Sequence, residues 1–209
     1  MKKIIITICL ILLIMGCKQE EERRLSILEK DNMEIRGVLP TGEDVSTRTT
    51  LDTDGLLTLW EEGDAIGVYG NGSSNVSLTL TTGAGTPFGV FRGAQTGVPV
   101  GAYYPYTESA GDNDREMQGT LDSEQEQNEN ASQIAPYDWK ISSSIIGNDQ
   151  DGYRIHFREI MTMLDISIDV SGTSMVGETL GSVTLVAPDR KLAGDFTIDL
   201  GNPSALPVM

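Results

Sequence analysis

Histidine and cysteine are almost missing from this chain: His156 is its single histidine, and Cys9 and Cys17 are its two cysteines. That scarcity excludes zinc sites built from the usual Cys and His ligands, and it leaves little for hydrolytic or metal catalysis, which needs several such groups to converge. His156 lies inside the strand-like stretch YRIHF, where a structural role suits it better than a catalytic one. Aromatic residues make up only 6% of the chain, so Trp60 and the stretch AYYPY must supply much of the large apolar area of any core. The glycines of GVYGNG do not form GxGxxG, and no βαβ unit surrounds them. In DNDREMQGTLD, Asp112, Asp114 and Glu116 stand at the i, i+2 and i+4 spacing of calcium ligands, but Met117 stands where an EF-hand loop requires glycine. No catalytic site and no cofactor are expected.

Basic charge is scarce too. Residues 1–16 carry two lysines and no acid; without them, 15 basic and 31 acidic side chains become 13 and 31, a formal charge of −18. Such a surface repels nucleic acid and anionic headgroups.

The N-terminus accounts for part of what remains. Lys2 and Lys3 precede an apolar run from Ile4 to Met15, too short to span a bilayer and of the right length for a secretory signal. The run ends in LIMGC, with Gly16 directly before Cys17, the arrangement of a bacterial lipoprotein signal, which implies cleavage before Cys17 and its acylation. The alternative is a cleaved signal with an incidental cysteine. Cys9 leaves with the signal, so the mature chain forms no internal disulfide. KQEEERRLSILEKDN then reads as a solvated tether.

From Met33 onward the pattern has period two, punctuated by Gly, Thr, Ser and Asn. Strands are expected at Met33–Leu39, around Leu57–Leu59, at Ile66–Val68 and at Val76–Leu80, with Gly63 and Asp64 of WEEGD turning the chain between them. Further candidates are FGVF, VPVGAYYPY, DWKISSSI, YRIHF, MLDISIDV, GSVTLVA and KLAGDFTIDL. About ten short strands suggest an antiparallel sandwich. Pro105 belongs at a strand end or edge, and the acidic stretch from Thr107 to Ser132 reads as a long excursion outside the core.

At TRTTLDTDGLLTLWEEGDAIGVYG the chain resembles the fimbrillin family, the lipoprotein pilins of type V fimbriae in gut and oral Gram-negative bacteria. The resemblance rests on Thr47, Arg48 and Thr49, then Trp60, Gly63, Asp64, Ile66, Val68 and Tyr69, followed by GAYYPY, LDSEQ and the stretch from HFREIMTMLDISIDV to FTIDL. It covers the lipoprotein signal and most of Met33 to Leu200. It implies an all-β fold, an antiparallel, transthyretin-like β-sandwich of about seven strands over residues 33–200. Before it come the signal peptide (1–16) and tether (17–32); residues 201–209 would begin a linker to a second domain beyond the end of this sequence, the alternative being a one-domain variant of the family. Glu20 to Glu22 look like the export tag of surface lipoproteins, the alternative being a plain linker facing the periplasm.

The resemblance further implies a fimbrial subunit serving adhesion, assembled with other subunits by donor-strand exchange once its first strand is removed. It would sit in the outer membrane through lipid on Cys17, exposed at the surface. Arg48 is the candidate cut for an arginine-specific protease; otherwise it only offsets the neighbouring acids. Arg36 is a weaker candidate, because a cut there leaves part of the strand behind. A lipid-anchored binding module for glycan or protein that never polymerises is the alternative function, and a hydrolase would need a catalytic constellation that the sequence lacks.

Overall fold

The computed structural model describes residues 32–40, 50–51, 58–71, 74–94, 97–111, 116–126, 136–148, 151–162, 164, 166 and 168–209. Cys17, Arg48, Asp112 and Asp114 lie outside these residues, as do the expected signal peptide and nearly all of the tether.

Among the described residues eleven strands follow one another: β1 (Asn32–Val38), β2 (Thr50–Leu51), β3 (Thr58–Leu59), β4 (Ala65–Gly70), β5 (Val76–Thr82), β6 (Phe88–Ala94), β7 (Pro99–Tyr104), β8 (Glu116–Leu121), β9 (Lys140–Asn148), β10 (Gly152–Glu159) and β11 (Gly194–Asp199). No α-helix occurs among the described residues. The all-β class is therefore as expected, and most period-two stretches of the sequence form the strands they suggest.

The architecture differs from the expected antiparallel sandwich. Seven strands close into one barrel in the order β1-β10-β9-β7-β4-β5-β6, with β6 returning to β1. Every pair in it is antiparallel except β1 with β10, which runs parallel from Ile35↔Tyr153 to Val38↔His156. Alternation in a sequence reports which side chains share a face; it does not report whether the sheet wraps or stacks. Here wrapping is aided by register shifts at Tyr69/Gly70, Leu80/Thr82 and His156/Phe157, since a bulge bends its strand and increases the local twist.

Alternate residues of the wall feed two cores. Ile35, Trp60, Ile66, Val68, Leu78, Phe91, Tyr104, Ile155 and Phe157 fill the barrel. Tyr69 and Tyr103, next in sequence to Val68 and Tyr104, point outward with Ile141 and are covered by Met117 of β8 and by Phe196 and Ile198 of β11. Those two strands pair antiparallel from Gly194↔Leu121 to Asp199↔Glu116. The acidic excursion after Thr107 is thus partly a packed strand, and Met117, the residue that breaks the calcium pattern, is fully buried in the outer core.

Two expected strands are not found. Around MLDISIDV and GSVTLVA the described residues form no strand, and Leu164, Ile166, Ile168, Val183 and Leu185 are exposed. The closed barrel offers these stretches no free edge to pair with.

Residues 201–209, expected to start a linker, fold back on the outer core. Thr197 and Val208 exchange backbone hydrogen bonds of 2.9 and 2.8 Å, and the Arg158 guanidinium donates to the carbonyls of Pro203 and Ala205. Pro105 falls directly after β7, and the Tyr104–Pro105 peptide is cis.

Candidate functional site

β1 is the seam of the barrel. From Asn32↔Ala94 to Val38↔Phe88 it pairs with β6 along one side, and with β10 along the other. Its period-two pattern sends Met33 and Ile35 inward, and both are buried with Leu39. Outside, Arg92 donates through Nε and a terminal nitrogen to Glu34 at 3.0 and 2.5 Å. That pair is exposed and contributes little beyond register. After β1, Leu39 N–H donates to the Pro87 carbonyl at 2.9 Å, and the chain returns to described structure at Thr50. Arg48 falls between these points, so its place relative to the seam is known only from the chain order.

Beneath β1 stands Trp60, with 0% of its surface exposed. Gly37 of β1 and Gly89 of β6 are directly opposite one another in the register. A Cβ on Gly37 would lie 2.8 Å from Phe91 and 3.3 Å from the indole; one on Gly89 would lie 2.9 Å from the indole. The two glycines leave a slot into which the indole and the Phe91 ring fit. Edge-to-face contacts with Phe91, Tyr104 and Phe157, at centroid distances of 4.8, 5.4 and 5.7 Å, complete the seat. Among the described residues the indole N–H has no hydrogen-bond partner, so packing alone holds the ring.

The remainder of the WEEGD stretch makes the turn that delivers the indole. Gly63 takes a φ of +92°, which favours glycine. Asp64 accepts from the Glu61 N–H at 2.7 Å and from the Tyr104 hydroxyl at 2.9 Å, while its own N–H donates to the Glu61 carbonyl at 3.1 Å. Burial pushes the Asp64 carboxyl above the ordinary aspartate value, against the lowering effect of those two donors. The Tyr104 hydroxyl is also pushed up, by burial first and then by the Asp64 charge.

Below Tyr104 lies a charged group that the sequence did not flag. Lys140 is fully buried, and its ammonium pairs with Asp138 and, at 2.9 Å, with Glu159. Its Nζ also lies 5.7 Å from the centroid of the Tyr104 ring. The one legible hint was a lysine between Trp139 and Ile141 in a strand that starts at the barrel's end.

Among the described residues no group of three or more His, Cys, Asp or Glu side chains is placed to hold a metal ion. His156 stands in β10, where its backbone carbonyl accepts from the Ser143 hydroxyl at 3.0 Å. No described helix is long and apolar enough to cross a membrane. Compared with protein-family models, curated proteins and solved structures, the chain matches none.

Proposed function

We propose that this protein is a structural or accessory subunit of a cell-surface fimbria, tethered to the outer membrane by lipid on Cys17 and assembled by donor-strand exchange. The reading rests on the fimbrillin resemblance of the sequence. One structural observation supports it most: β1, the first described strand, is the stave that closes the barrel between β6 and β10. Taking it out leaves two rows of unpaired N–H and C=O groups beside a groove over Trp60, Phe91 and Phe157. That is the template on which another chain's strand pairs, its main chain giving affinity and its alternate side chains filling the vacated positions. A barrel serves this purpose as well as the sandwich first expected, because the vacancy has a partner strand on each side.

The contact is head to tail and does not close on itself, so it propagates a fibre. Arg48 is the proposed cut, by an arginine-specific protease that severs the subunit from its lipid and its first strand, the strand then leaving when another subunit's strand displaces it. Several acyl chains on one cysteine would hold the uncut protein firmly. The exposed apolar residues around 164–168 and 183–185 also suit a protein that meets others of its kind.

The test is the N-terminus of the subunit recovered from surface fibres. It is expected at Thr49. A fibre subunit that still begins at Cys17, or a protein found only as a lipid-bound monomer, would overturn the assembly route and favour a non-polymerising binding module.

A further inference from the structure

Three neighbouring strands bring Tyr104, Lys140 and Glu159 into one row. Tyr104 of β7 is the register partner of Lys140 of β9, and Lys140 is the register partner of Glu159 of β10. Side chains at directly opposed positions leave the sheet on the same face, here the inner face at one end of the barrel. Asp138 lies two residues before Lys140, next to the same ammonium. The Lys140 side chain is 0% exposed, that of Asp138 1%, and that of Glu159 17%. An amine nitrogen and a carboxylate are thus held 2.9 Å apart across two strands, with a second carboxylate in contact and an aromatic ring over the nitrogen.

Ions are costly to keep in such a place. Removing an ammonium and carboxylates from water carries a penalty of several kcal/mol per ion, which their attraction only partly offsets. An amide between Lys140 and Glu159 removes the ammonium and one carboxylate from this account, leaving Asp138 as the one ion of the three. Held reactants also gain an effective concentration that reaches on the order of 10⁵–10⁸ M in well-oriented intramolecular cases, and the low exposure keeps out the water that would reverse the reaction.

We propose that Lys140 and Glu159 are the site of an intramolecular isopeptide bond that ties β9 to β10, with Asp138 as the proton relay. Asp138 takes a proton from the Lys140 ammonium, and the freed amine attacks the Glu159 carboxyl carbon. A C–N bond forms, one C–O bond breaks, and the departing oxygen leaves as water carrying both protons shed by Nζ. Asp138 ends in the state in which it began, and nothing is oxidised or reduced. Asp138 is the relay because it lies two residues before Lys140 on the same segment of chain, just ahead of β9, whereas Glu159 lies across the ladder in β10, where a link joins two strands. The inference stands on this geometry and does not depend on the fimbrial reading.

Peptide mapping of the full-length protein, denatured and digested, tests it without any variant. The expected product is a branched peptide joining the segments that contain Lys140 and Glu159, lighter by one water, about 18 Da, than the two separate peptides. Digestion after Lys140 should be blocked. Separate linear peptides with an unmodified Lys140 would overturn the bond, and a loss of water mapped between Asp138 and Lys140 would overturn the choice of Glu159. In Asp138→Asn the two peptides are expected to separate, and in Asp138→Glu the branched peptide should return. A branched peptide in Asp138→Asn would remove Asp138 from the role.

Discussion

Tyr104 donates its hydroxyl hydrogen to Asp64 at 2.9 Å, joining the end of β7 to the turn that seats Trp60. Four residues of the WEEGD and AYYPY stretches therefore act as one unit: Trp60 fills, Gly63 turns, Asp64 caps and Tyr104 closes. Packing and hydrogen bonding account for the residue type at each of these four positions.

The first prediction concerns the protonation of Asp64. Its carboxyl titrates higher in the folded chain than the ordinary value of 3.8, so the folded state binds the proton more readily than the unfolded one. That contribution is complete below the unfolded value and is lost as pH rises through the raised folded value. Asp64→Asn removes it. In urea unfolding at a series of pH values, the stability of wild type relative to the variant should fall as pH climbs from about 4 and then level off. A difference that grows with pH would mean that the Glu61 and Tyr104 donors outweigh burial.

Trp60→Ala should lower stability by roughly 3 to 5 kcal/mol, the usual cost of emptying a buried aromatic site. Gly37→Ala approaches the same seat from the strand above it. The added Cβ would meet Phe91 at 2.8 Å, so a loss of about 1 to 3 kcal/mol is expected from overpacking. Denaturation midpoints measure both, and a Gly37→Ala protein as stable as wild type would show that Phe91 can move aside.

Ile166→Lys tests the stretch on which sequence pattern and structure disagree. Ile166 is 47% exposed and belongs to no strand, so stability should stay within about 0.5 kcal/mol of wild type. A loss above about 2 kcal/mol would show that MLDISIDV is buried, as its alternation suggests.

That disagreement marks what the sequence could disclose. Strands that face a core on one side announce themselves by alternation, as Val76–Leu80 and Tyr153–Phe157 do. The same alternation at MLDISIDV and GSVTLVA carries no information about a partner edge, and the closed barrel has none to offer. β8 was obscured in the opposite way, because Met117 stands between Glu116 and Gln118, which face solvent on the other side of the strand. Barrel closure depends on Ile35 pairing with Phe91 on one side and Tyr153 on the other, contacts set by residues 56 and 118 positions away in sequence. The Lys140 cluster stayed unread for a related reason: Glu159 becomes its neighbour only through the β9–β10 register.

The last prediction follows from how firmly β1 is held. Met33, Ile35 and Leu39 are buried, each contributing roughly 1.5 to 3 kcal/mol, and both edges of the strand are hydrogen-bonded. A cut after Arg48 severs the chain without touching these contacts. The nicked protein should therefore keep its N-terminal fragment through native gel filtration and lose it only in denaturant or to a competing strand. Ile35→Asp places a charge in the barrel core, beside its register partners Phe91 and Tyr153, and should make the fragment leave on cutting alone. Excess peptide of residues 32–40 should exchange with the fragment of nicked wild type, while the same peptide carrying Ile35→Asp should not. Mass spectrometry of the gel-filtered complex reads each outcome. Spontaneous loss of the wild-type fragment would mean that β1 is held too weakly to keep an uncommitted subunit closed, and that release requires only the protease.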